Sequence, residues 1–224
     1  MRYFTLILLF CMFVNFEAAP QGEMEQPRTN KIFAIPNMNP KDTANDVPAV
    51  IEDPPASLRS IMGKGETGEE LLVSFLLNEN HETDKEFAKA LAGFYITEAK
   101  TEGVNHDIAF AQMCLETGFL RFGGLVTAEM NNFCGLGSIG PGEEGEWFSS
   151  PEIGVRAHIQ HLKAYASSFP LAGELVDPRY RFVRRGTVPF VEGLAGTWAA
   201  DKLYAEKIEL ILERLYRFRD TASE

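Results

Sequence analysis

From Asn105 to Gly118 the chain reads NHDIAFAQMCLETG, and this stretch constrains the fold more than any other. Its apolar residues, Ile108, Ala109, Phe110, Ala111, Met113, Cys114 and Leu115, leave a helix almost no wet side, so the spacing predicts a helix that runs through a core. Asn105 or His106 can cap its start and Gly118 can end it. Only Gln112 and Glu116 interrupt the apolar surface, and at i and i+4 they share one face. That polar stripe must meet either water in a cleft or a buried partner. Glu116 falls in the last turn, where the negative end of the helix and apolar neighbours both disfavour a carboxylate and raise its pKa. A carboxyl kept protonated near neutral pH can give its proton to a departing oxygen. The competing expectation is a structural ion pair with Arg121 or Arg156.

Helical spacing recurs around this stretch. TGEELLVSFLLNEN places Leu71, Leu72, Phe75 and Leu76 on one face, with Thr67 and Glu70 arranged as a capping box. TDKEFAKALAGFYITEAKTEG repeats Phe87, Leu91, Phe94 and Tyr95 and stops at Gly103. PEIGVRAHIQHLKAYASS opens with Pro151 in a first-turn position, and KLYAEKIELILERLYRF closes the series. Strand signals are scarce, and GLGSIGPGEEGEWFSS reads as a loop bearing a small hairpin. The expected class is mainly α.

The N-terminal MRYFTLILLFCMFVNFEAAPQG has Arg2, then an apolar run from Phe4 to Phe16, then small residues at Ala18 and Ala19, the order of a secretory signal peptide over residues 1–19. A membrane-spanning helix needs about 20 apolar residues, so this run is too short to cross comfortably. Export with cleavage is the expectation, and anchoring at Cys11 is the alternative. Residues 20–57 are rich in Pro, Asn and Asp without sustained periodicity and read as a disordered linker. Residues 58–219 are long enough for one domain with its own core. The formal net charge of −11, from 32 acidic and 21 basic residues, argues against a general nucleic-acid binder. Cys114 and Cys134 would meet an oxidising compartment, where a disulfide is possible. His158 and His161 stand one helical turn apart without a third ligand, which favours solvated or hydrogen-bonded helix histidines over zinc ligands. No cofactor is expected.

In order along the chain, GVNHDIAFAQMCLETGFLRFGG, MNNFCGLGS, EWFSSPEIGVRAHIQHLKAYA and GLAGTWAADKLYAEKIELIL closely resemble the bacterial glucosaminidase family typified by glycoside hydrolase family 73. The resemblance implies a lysozyme-like helical domain with a much reduced β-hairpin lobe. It also implies that the chain cuts peptidoglycan glycan strands after N-acetylglucosamine, with Glu116 as general acid. Asn131 and Asn132 match paired asparagines whose amides can hold sugar groups, and Gln112 joins them as a substrate-binding candidate on the polar stripe. Tyr204 matches a tyrosine of the cleft that can orient the acetamido group or polarise a water. Trp147 and Trp198 offer faces for sugar stacking or for packing. Many family members draw a second acid from a longer lobe. Here Glu143, Glu144 and Glu146 are the candidates, and without them the substrate's own acetamido oxygen can serve as nucleophile. A lytic transglycosylase and a non-catalytic wall-binding module are the alternative functions.

Overall fold

The computed structural model describes residues 58–138 and 145–222. They form a mainly helical domain: α1 (Glu69–Glu79), α2 (Lys85–Glu102), α3 (His106–Thr117), α4 (Pro151–Ala166) and α5 (Tyr204–Ala222), with short 3-10 turns between them. Among the described residues only isolated bridges stand in for a sheet, such as Ser60 with Phe190 and Met62 with Val104. The expected hairpin loop has no strand in its described part, and residues 139–144, at its centre, lie outside the described residues.

Helix α3 is the centre of the domain, as its composition requires. All its residues except Leu115 and Glu116 are buried. α5 packs along one side of it, and α2 joins it to α1 and α4. Phe75, Leu76, Leu91, Tyr95, Ile108, Phe110, Ile159 and Leu212 fill the space between, each fully buried or nearly so. Each large apolar side chain so buried contributes about 1.5–3 kcal/mol relative to exposure.

The helix boundaries follow local chemistry. Asn105 caps α3 by accepting from the backbone N–H groups of Asp107 and Ile108 at 3.0 and 3.4 Å. Gly118 ends α3 in the left-handed region at φ 58°, where a side chain would be strained. Ser150 caps α4 through Ile153 N–H, with Pro151 in its first turn. The anticipated capping box at α1 does not form. Gly68 is the N-cap, and the Thr67 hydroxyl donates instead to Asp107, a fully buried carboxylate that also accepts from Glu66 N–H and the Tyr216 hydroxyl. A long-range buried acceptor has outcompeted the local cap.

Two charge contacts, one part-buried and one buried, fix α4 against α2. Arg156 makes a bidentate pair with Glu98 at 2.9 and 3.0 Å. Lys163 reaches Glu102 at 2.7 Å, and Glu102 also accepts from Ala172 and Gly173 N–H, each at 2.9 Å. The anchored helix also lies directly on the segment after α3: a Cβ added to Gly154 would stand 1.8 Å from the Asn131 carbonyl oxygen. Only glycine permits that approach.

Cys114 and Cys134 are both free and buried. The possible disulfide is not formed, and the two thiols serve separate packings. Cys114 belongs to the main core, whereas Cys134 packs with Leu136, Phe148 and Ala157 beside α4. No helix of the described residues is long and apolar enough to cross a membrane.

Candidate active site

Glu116 leaves the last turn of α3 with an exposed side chain, yet burial among surrounding protein atoms lifts its carboxyl above the ordinary value. Accessible area and crowding differ here because a side chain can keep part of its surface in water while protein atoms crowd it on its other sides. Two neighbours oppose the rise by favouring the ionised form, the Tyr204 hydroxyl through its hydrogen bond and the Trp198 indole. Neither anticipated ion-pair partner is near. Arg156 is spent on Glu98 and Glu152, and Arg121 donates to the carbonyls of Glu79 and Gly118.

Behind Glu116 runs a chain of buried hydrogen bonds through four helices. Tyr204, the first residue of α5, donates to Glu116 Oε1. Its oxygen accepts from Gln112 Nε2 at 2.8 Å, Gln112 Oε1 meets His158 Nε2 at 3.0 Å, and His158 Nδ1 meets the Tyr95 hydroxyl at 3.0 Å. The direction of the chain follows from its far end. Burial, then the neighbouring His161, pushes the His158 pKa down to about 3, so the imidazole is neutral and has one N–H. The Tyr95 hydroxyl is fully buried with His158 as its hydrogen-bond partner, and a buried O–H without an acceptor costs more than an unfilled lone pair. Tyr95 therefore donates to Nδ1, Nε2–H donates to Gln112, Gln112 donates to Tyr204, and the Tyr204 proton is left for Glu116 Oε1. A proton carried by Glu116 then resides on Oε2.

Oε2 faces Gly135, where an added Cβ would lie 3.5 Å away. Gly135 has φ 67°, a glycine conformation that keeps this wall low. The segment after α3 is unusual in its own right. Phe119, Leu120 and Phe122 all take positive φ, which is costly for side chains of this size. Thr117 helps to hold the turn: its hydroxyl donates to Met113 O and accepts from Leu120 N–H at 2.9 Å.

The remaining candidates separate by where their polar atoms go. Gln112 is fully buried with both amide atoms in the chain just described, so it supports Glu116 from behind rather than facing a sugar. Asn132 is also buried. It accepts from Leu136 N–H and donates to the Leu136 and Glu146 carbonyls, closing the loop that carries Gly135. Asn131, half-buried with φ 51°, donates to the Phe148 carbonyl at 3.0 Å. Loop construction thus accounts for the amide N–H contacts of both asparagines. Trp147 is 62% exposed and free to stack. Trp198 is half-buried against His161, Tyr165 and His158, with ring centroids 5.0, 5.5 and 5.8 Å away. Glu146 is half-buried beside Gly137 and 3.9 Å from Arg179. Glu143 and Glu144 lie outside the described residues.

His158 and Tyr95 carry the chain but escape sequence reasoning, because each sits at a core position of an amphipathic helix. His158 and His161 turn to different partners, and no cluster of His, Cys, Asp and Glu among the described residues could hold a metal. His161 pairs instead with buried Asp177 at 2.7 Å.

The sequence model of the glucosaminidase family, described as mannosyl-glycoprotein endo-beta-N-acetylglucosaminidase, matches residues 92–217. The chain belongs to that family. The matched span contains Tyr95, Gln112, Glu116, His158, Trp198 and Tyr204, so the glucosaminidase region includes the whole hydrogen-bonded chain. A relative from Borreliella burgdorferi strain B31, named only as an uncharacterized protein, is 44% identical over 160 residues, covering 71% of this chain and 78% of the relative. No solved structure matches. Family membership makes the protein a glycosidase acting on a glycan.

Proposed function

We propose that this glucosaminidase is an exported endo-β-N-acetylglucosaminidase that cleaves the β-1,4 bond after N-acetylglucosamine within peptidoglycan strands. The observation that carries the reading is Glu116 itself: an exposed side chain whose carboxyl has a raised pKa, held by Tyr204 through one oxygen and turned toward Gly135 with the other. Export rests on the N-terminal sequence, whose order is that of a signal peptide.

Glu116 Oε2 gives its proton to the glycosidic oxygen as the C1–O bond breaks, and the bonding pair leaves with that oxygen. Positive charge developing at C1 must then be met from the opposite face. The described carboxylate nearest the hairpin loop, Glu146, is turned toward Gly137 and Arg179. That arrangement favours the substrate-assisted route, in which the acetamido oxygen bonds to C1 and a water later opens the ring intermediate. Glu116, now ionised, takes the proton of that water and returns to its starting state. Tyr204 assists by donating to Oε1 throughout, stabilising the carboxylate as it forms.

Product analysis tests the reading. Purified peptidoglycan digested by the protein should yield reducing N-acetylglucosamine ends by mass spectrometry. Anhydro-muramic ends would assign a lytic transglycosylase instead. Retained glycan affinity without cleavage at any pH would leave a binding module.

A further inference from the structure

The otherwise acidic chain places four arginines within a few residues of one another, in the segment RYRFVRR from Arg179 to Arg185. The segment is built rather than loose. Its start hangs on buried Asp177, which accepts from Arg179 N–H at 2.8 Å and is itself held by His161. Its end returns to α4 through Gly186 N–H to Ala164 O at 3.0 Å and Val188 N–H to Tyr165 O at 2.9 Å. Aromatic rings steady the guanidinium groups: Arg179 and Arg181 lie 5.2 and 4.8 Å from the Phe182 ring centre, and Arg185 lies 5.7 Å from that of Tyr180. Phe182 is 64% exposed, so this ring is spent on the arginines rather than on the core. Among the described residues, Arg181, Arg184 and Arg185 have no carboxylate partner, and Arg179 has only the 3.9 Å contact with Glu146.

The strip begins close to Glu116. Arg179 lines a polar cavity of about 240 Å³ together with Trp198 and Gly135. The Trp198 indole favours the ionised form of Glu116, and Gly135 lies against the Glu116 carboxylate, so the cavity adjoins that residue. A cluster of exposed guanidinium groups on a protein of net charge −11 attracts an anion locally where the molecule as a whole repels it. We propose that the Arg179–Arg185 strip binds the carboxylates of the stem peptides carried by the muramoyl sugar next to the cut, so that this enzyme prefers peptide-bearing strands over naked glycan. The proposal rests on peptidoglycan being the substrate of the Glu116 site. Guanidinium groups suit the ligand because they meet carboxylates with two parallel hydrogen bonds.

Binding decides it without depending on turnover. Full-length Glu116→Gln protein is sedimented with peptide-bearing peptidoglycan and with the same polymer stripped of stem peptides by an amidase. The expected result is about tenfold tighter binding to the peptide-bearing polymer, lost at about 0.5 M salt. Arg181→Ala with Arg184→Ala, added in the same background and checked for folding by circular dichroism, should bring the two affinities together, and the corresponding lysine pair should retain part of the difference. Equal affinity for both polymers, or a preference unchanged in the folded double variant, overturns the proposal. So does a strip whose loss weakens only sedimentation with phosphatidylglycerol vesicles, which would assign it to a membrane surface. If the parent protein cleaves neither polymer but still shows the preference, the hydrolytic reading fails while the strip's role stands.

Discussion

Glu116 bears two demands that pull its pKa in opposite directions, and both can be measured. Burial lifts the carboxyl, whereas Tyr204 and Trp198 favour its ionised form. Glu116→Gln keeps an oxygen to accept from Tyr204 but cannot supply the proton. Hydrolysis should fall by about 10²- to 10⁴-fold in a folded protein, and near-parental turnover would rule out the acid role. The same variant has a stability signature. A folded pKa above the unfolded one gives stability that is whole below the ordinary carboxylate range and lost as pH rises through the raised value. Glu116→Gln should therefore melt above the parent at neutral pH and match it at about pH 3.5, a comparison made by calorimetry across pH. Tyr204→Phe removes a donor to Oε1 that favours the carboxylate, so the Glu116 pKa should rise further. The alkaline limb of the kcat/KM profile should then move to higher pH while kcat falls by about tenfold. A limb that stays in place would show that Tyr204 does not act on Glu116 in the working enzyme.

Between elements, the site depends on one polar line crossing α2, α3, α4 and α5 through Tyr95, Gln112, His158 and Tyr204. His158→Leu would orphan the Tyr95 hydroxyl and the Gln112 oxygen in the core, at about 1–3 kcal/mol for each group. It should also change how stability responds to acid. The parent holds a neutral imidazole whose pKa is pushed from 6.5 to about 3, so the unfolded chain binds a proton that the folded one refuses. Stability is thus lost as pH falls from about 6.5 toward 3, by about 3–5 kcal/mol for the full shift. Melting of the leucine variant should be flatter over that window, even though it starts lower. An unchanged slope would mean that another group controls the acid side. The helices can hold such a line because α4 is locked to α2 by the Arg156–Glu98 and Lys163–Glu102 pairs.

At the scale of the whole molecule, the short segment before α1 is sewn into the domain far more tightly than its length suggests. Arg59 pairs with Glu209 at 2.9 Å, Val191 N–H donates to Arg59 O, and the fully buried Ile61 bonds to Pro189 O and accepts from Asn105 N–H. A chain beginning at Leu58 should melt with the full-length protein. One beginning at Gly63 loses a core side chain and these bonds together, at least about 4 kcal/mol, or roughly 8 °C in melting temperature. Equal melting of the two truncations would show that the segment is not part of the folded unit.

The helices, the cap at Asn105, the helix start at Pro151 and the singular position of Glu116 were legible in the sequence, because periodicity and capping are local and each residue's neighbours in the chain settle them. The polar stripe of Gln112 and Glu116 was legible as well, but not the division of labour within it. One member faces the cleft and the other faces His158, and only packing decides which way each points. Thr67 abandoned its local cap for Asp107, 40 residues away, and Asn132 gave its amide to the loop it sits in. Cys114 and Cys134 went to separate apolar clusters, a separation invisible to spacing. What the chain alone determined was the helical class and the place of the Glu116 carboxyl at the end of a core helix. The tertiary structure decided which groups hold that carboxyl, because buried polar atoms must find partners and those partners come from distant elements.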